Sequence, residues 1–140
     1  MNERPEYTEF YAFLDSTRLL IQNQPPCSDL GASDAWLRDV NAVMARAAQM
    51  RGKAEAVQAT LTKAALEELD IKSDEYKKLQ GSSTLKAIHA AGRWPEMWAL
   101  TVETIQIGYI LNYVAENTRT LMSSWRLERD IESRTTVRNR

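Results

Sequence analysis

Trp36, Val40, Val43, Ala47, Met50, Ala54, Val57, Leu61 and Ala64 follow one another in alternating steps of four and three residues. That spacing is a heptad seam, the signature of a long helix that buries one stripe against another helix. From Asp34 to about Asp70 such a helix spans about 55 Å, longer than a compact domain of this size is wide. Gly52 interrupts the run at a cost of about 1 kcal/mol, which the surrounding alanines outweigh in helix propensity. The small alanines on the seam allow close approach of a partner helix, from the same chain or from another copy.

A second heptad series has the same character: Met97, Leu100, Thr104, Ile107, Leu111, Val114, Thr118, Leu121 and Trp125. Trp94-Pro95 opens this helix, with Pro95 at its first position and Glu96 complementing the N-terminal dipole. Trp98, Val102, Ile105 and Tyr109 form a second apolar face, so residues 97–114 are expected in a core. Glu96, Glu103, Gln106 and Asn112 make that stretch unsuited to hydrocarbon, and no membrane span is expected.

The remaining elements are shorter. Phe10, Phe13, Leu14, Thr17, Leu20 and Ile21 keep the i, i+3, i+4 rhythm of a helix over about residues 6–23, which Pro25-Pro26 ends. Ser33 or Asp34 can cap the long helix that follows. Residues 70–83 are polar and read as a loop with one helical turn after Ser73. A short helix over about 83–91 carries Leu85 and Ile88 and stops at Gly92. Only five glycines and four prolines occur in 140 residues, too few to punctuate a sheet. The fold class is therefore all-α: a helical bundle with long helices over about 34–70 and 95–132. Residues 1–133 are expected to form one domain and residues 134–140 a basic, flexible tail.

Chemistry is sparse. His89 is the single histidine and Cys27 the single cysteine, so no His/Cys metal set can be assembled and no internal disulfide can form. The acidic run Glu67, Glu68, Asp70, Asp74 and Glu75 is interleaved with Lys72, Lys77 and Lys78 and reads as a solvated face. Gly31, Gly52, Gly81, Gly92 and Gly108 match neither a dinucleotide fingerprint nor a phosphate loop. No catalytic residue, metal or cofactor is called for. The acidic, polar start lacks the apolar stretch of a signal peptide, and with the lone thiol points to the cytoplasm of the cell that makes the chain, a phage-infected bacterial host among the settings considered.

Binding is the better-supported activity. Arg46 and Lys53 lie seven residues apart on one flank of the first seam, with Arg51 nearby. Such a row can follow phosphates, or it can pair with acids on a neighbouring helix as flanking charges in coiled coils do. Trp94 beside Arg93 at a helix start can stack an unpaired base or pack back as a hydrophobic staple. Residues 117–140 hold six arginines against three acids, Arg119 and Arg126 among them, whereas residues 1–30 hold five acids against two bases. The first seam, Trp36, Val40, Val43, Ala47, Met50, Ala54, Val57 and Leu61, is the candidate interface for a homo-oligomer.

The order of these features resembles the small phage recombination mediators of the UvsY type. Trp36-Leu37 opens a long helix rich in alanine and basic residues. A polar loop and the segment Ser83-Thr84-Leu85-Lys86 follow, and a Trp-bearing helix from Trp98 ends in the basic stretch Arg119 to Arg129. The likeness covers about residues 33–132 and leaves the N-terminal helix without a counterpart. It implies an oligomeric ring, single-stranded DNA binding through Arg46, Arg51 and Lys53, and contacts with a recombinase and a single-strand-binding protein. The alternative reading is a protein-only adaptor or inhibitor, encoded by a phage or mobile element, that works through a helix–helix interface.

Overall fold

The computed structural model describes the backbone of residues 5–138 and the side chains of residues 7–135. Five helices form: α1 (Pro5–Gln22), α2 (Leu30–Glu67), α3 (Asp74–Gln80), α4 (Ser83–Arg93) and α5 (Pro95–Arg138). No strand occurs among the described residues, and the expected all-α bundle with two long helices is what folds.

The helix ends show which local signals prevailed. Asp29 caps α2, its carboxylate accepting from the Ala32 amide at 3.1 Å, so the helix starts four residues before Asp34. Ser33, expected as a cap, instead lies buried in the first turn, and its hydroxyl donates to the Pro26 carbonyl at 3.1 Å. Ser73 accepts from the Tyr76 amide at 3.1 Å and opens a seven-residue helix where a loop with a single turn was expected. Gly92 does not stop α4, which continues to Arg93. Pro95 is the first residue of α5, as expected, but that helix runs on through Arg138. Residues 134–138, expected in a basic tail, thus continue α5, and residues 139 and 140 lie outside the described residues.

α2 and α5 pack antiparallel along most of their length. Arg126 meets Asp34, Arg119 meets Asn41, and Gln58 donates to the Thr101 hydroxyl at 3.0 Å, the numbers on one helix rising as those on the other fall. A Cβ built on Gly108 would stand 3.6 Å from the Ala47 side chain, so the two helices approach closely there. α1 joins this pair running parallel to α5: Arg18 bonds Glu103 at 2.8 Å and Gln24 bonds the Thr118 hydroxyl at 2.6 Å. The Trp36 indole N–H donates to the Leu20 carbonyl at 2.8 Å and fixes α1 against the start of α2.

The core follows from that arrangement. Phe10, Phe13 and Leu14 of α1 close on Ala47, Met50 and Ala54 of α2 and on Leu100 and Ile107 of α5. Trp36, Leu37 and Val40 close on Leu111, Ala115 and Met122. At the other end Ala90 of α4 packs with Leu61 and Ala65, covered by Trp94, Met97 and Trp98.

This packing corrects two expectations. The first-seam residues proposed as an oligomer interface are consumed inside the chain: Trp36, Val40, Ala47, Met50, Ala54 and Leu61 are buried, and Val43 and Val57 are partly buried against the same clusters. The seam's partners are this chain's own α5 and α1 and, at its far end, α4. Conversely, Tyr109, placed in the core by sequence, is exposed, as are Leu121 and Trp125 at the end of the second series. α5 outruns its neighbours; of its second apolar face, Trp98 and Ile105 are half-buried against the core clusters, while Tyr109 is exposed beside Arg51 of α2.

Candidate interaction surfaces

The basic residues selected from sequence are engaged by their own chain. Arg46 and Lys53 do share a flank of α2, and both converge on Glu9 of α1: Arg46 Nη2 lies 2.5 Å and Lys53 Nζ 2.8 Å from Glu9 Oε1, with Lys53 also 2.9 Å from Oε2. The Lys53 hydrogen bond and then that of Arg46 hold the Glu9 carboxyl below its ordinary value of 4.5. The row pairs with an acid on a neighbouring helix, as flanking charges in coiled coils do. Solvent-exposed pairs of this kind add little to stability, so the consequence is mainly local neutralisation of charge.

Arg51 lies apart from that pair, in a groove lined by α2 and α5 alone. Its guanidinium stands 5.8 Å from the Tyr109 ring centre, its Nη1 3.5 Å from the tyrosine hydroxyl, and its Nε 3.9 Å from Glu55. Arg93, at the end of α4, donates to Glu68 at 3.0 Å while its guanidinium lies 5.2 Å from the Trp94 ring. Trp94 itself is half-buried and packs back on the Leu61, Ala65 and Ala90 cluster. The staple reading fits this placement better than a free stacking platform. His89 is half-buried on α4, and no group of three or more His, Cys, Asp or Glu residues able to hold a metal occurs among the described residues.

The fold also brings Arg119 and Arg126 together. They line a groove between the start of α2 and the far end of α5, joined there by Arg38. Arg126 spans both oxygens of Asp34, at 3.0 and 3.1 Å, and Arg119 bonds the neutral Asn41 side chain at 3.0 Å. Arg38 was not singled out from sequence. Its place near the start of the seam gave no hint that Arg119, eighty-one positions away, would line the same groove.

The largest unforeseen feature is apolar. On the side of α5 turned away from the core, Tyr109, Ile110 and Tyr113 form one exposed apolar group and Leu127 and Ile131 a second, with Asn117, Thr120, Ser123 and Ser124 between them. Scattered surface leucines are ordinary, but several large apolar residues along one helix face are the mark of an interaction surface. No helix among the described residues is long and apolar enough to cross a membrane.

Comparison with known proteins returns no match, whether with protein-family models, curated proteins or solved structures.

Proposed function

We propose that this chain is a non-catalytic helical adaptor that works by protein–protein contact through the outer face of α5. One observation carries the reading. The cations that would track phosphates along α2 are tied to Glu9 and Glu55, while the large unsatisfied surface is the apolar side of α5. A protein whose main task was gripping a nucleic-acid backbone would keep its cation row unneutralised, because affinity for phosphates comes from releasing their counterions.

The test is anisotropy titration of a labelled single-stranded oligonucleotide at about 50 and 200 mM salt. The adaptor reading expects no tight, salt-sensitive binding. Binding that collapses with salt and is weakened by Arg46→Ala with Lys53→Ala would refute it.

A second reading keeps the resemblance to phage recombination mediators, with single-stranded DNA as ligand and a recombinase and single-strand-binding protein as partners. What favours it is the groove holding Arg38, Arg119 and Arg126, where three arginines face one carboxylate, that of Asp34. In that case Arg38→Ala with Arg119→Ala abolishes oligonucleotide binding, whereas the Arg46 and Lys53 substitutions leave it unchanged.

A further inference from the structure

We infer that the outer face of α5 is covered by α5 of a second copy, running antiparallel about a two-fold axis at Thr120. The inference rests on the adaptor reading above and names the first occupant of its surface.

The register carries the argument. Tyr109 and Tyr113 lie one turn apart, as do Leu127 and Ile131, and eighteen residues separate Tyr109 from Leu127 and Tyr113 from Ile131. Eighteen residues are about five full turns of an α-helix, so both pairs stand on one line along α5. All four are exposed: Tyr109 by 59%, Tyr113 by 70%, Leu127 by 61% and Ile131 by 55%. Thr120 lies midway between the pairs. A two-fold axis there sets Tyr109 across from Ile131 of the second copy and Tyr113 across from Leu127, and repeats both contacts by symmetry. An isologous interface needs a patch complementary to itself; the antiparallel two-fold sets each tyrosine against an aliphatic side chain, where a parallel one would set tyrosine on tyrosine.

The residues between the pairs fit a helix crossing. Asn117, Thr120, Ser123 and Ser124 are uncharged, modest in size and exposed, and Glu116, also exposed, falls opposite Ser124 of the second copy and not opposite a like charge. Such side chains at the centre let two backbones approach, with the large ones closing the contact on either side. Gln106 falls opposite Arg134, so no like charges meet on the line itself.

The far end of α5 supplies an independent reason. Helical stability in a protein comes mostly from packing an apolar face against something else. The segment from Ser123 to Thr135 has no buried side chain, yet it carries Leu127 and Ile131 on that line and remains helical. A second copy would cover it with the tyrosine end of its own α5.

The area is that of a modest dimer. At these exposures the tyrosines present roughly 120 Å² each and Leu127 and Ile131 roughly 100 Å² each, about 900 Å² over two copies when all of it is covered, below the roughly 1,200 Å² of standard interfaces and in the range of weak, transient association. A reversible dimer is expected, dissociating on dilution.

Sedimentation velocity of the full chain over a concentration series tests this, with circular dichroism confirming that each variant keeps its helix content. The wild type is expected to pass from the 16.0 kDa monomer to a species of twice that mass as concentration rises. Tyr113→Lys alone and Leu127→Glu alone should each abolish the shift, since each sets a charge against an apolar side chain. The double variant should restore it, because the introduced ammonium of one copy would then face the introduced carboxylate of the other at both symmetric positions. In a Cys27→Ser background, Thr120→Cys should oxidise to a covalent dimer, and Tyr109→Cys should not. A wild type that stays monomeric throughout overturns the inference, as does a dimer that neither single variant breaks or that the double variant fails to rescue. Failure of the adaptor reading looks different: oligonucleotide binding in the titration above, whatever the oligomeric state.

Discussion

Thr17→Val tests the packing of α1 most directly. Thr17 is fully buried, and its hydroxyl is the one buried side-chain polar atom without a hydrogen-bond partner among the described residues. A helical threonine commonly donates to the carbonyl one turn back, which here is that of Phe13, but Ser16 already donates to that oxygen at 3.1 Å. The other buried threonines are satisfied: Thr104 donates to Leu100 at 2.8 Å, while Thr101 and Thr118 each donate along α5 and also accept from Gln58 and Gln24. A buried unsatisfied hydroxyl costs about 1–3 kcal/mol. Valine has nearly the same shape and the same β-branching, so neither packing volume nor helix propensity changes much. Thr17→Val should therefore stabilise the fold by about 1–2 kcal/mol, a rise in melting temperature of roughly 3–6 °C for a domain of this length. Urea unfolding followed by circular dichroism should show a higher midpoint with an unchanged slope. Thr104→Val is the control: it forfeits a hydrogen bond worth about 1 kcal/mol while shedding a hydroxyl, and should gain less than Thr17→Val. A midpoint that falls for Thr17→Val, or gains that are equal at both positions, would refute the account of the α1 interface.

Three further perturbations follow from named contacts. Gly52→Ala lies mid-helix in α2 with nothing within 4 Å of the added Cβ, so it should stabilise by about 1 kcal/mol, read as a higher urea midpoint. Trp36→Phe removes the indole N–H that donates to Leu20 and leaves that partly buried carbonyl short of a partner, and should cost about 1–3 kcal/mol in the same assay. The Glu9 carboxyl is held below its ordinary value, so its contribution is present above pH 4.5 and is lost as pH falls through the lowered value; Glu9→Gln should remove that part of the acid dependence in a pH series of unfolding midpoints.

The long helices were legible because their constraint is periodic and local. Alternating steps of four and three from Trp36 to Leu61, with Pro95 and Ser73 at helix starts, require no knowledge of what lies across the interface. Identity of the partner is a different question, since a seam pattern reads alike whether α5 of the same chain or a second molecule fills it. That is why Val40 and Met50, assigned to an oligomer, sit in the monomer's core. The ion pairs were hidden for a related reason. Glu9 is 37 positions from Arg46 and 44 from Lys53, and only the packing of α1 along α2 makes them neighbours.

Tyr109 marks where periodicity stops being informative. Residues 97–114 are apolar on two sides, and sequence favours burying both. A helix in a three-helix packing has neighbours on part of its circumference only, so one apolar side wins the core and the other does not. α1 and α2 cover the side of Leu100, Ile107 and Leu111, which leaves Tyr109 and Tyr113 outside. The choice between the two sides depends on volumes and small residues elsewhere, such as the close approach of Gly108 to Ala47. Surplus apolar surface on α5 is therefore what remains when a helix that is apolar on two sides can turn only one of them to its neighbours.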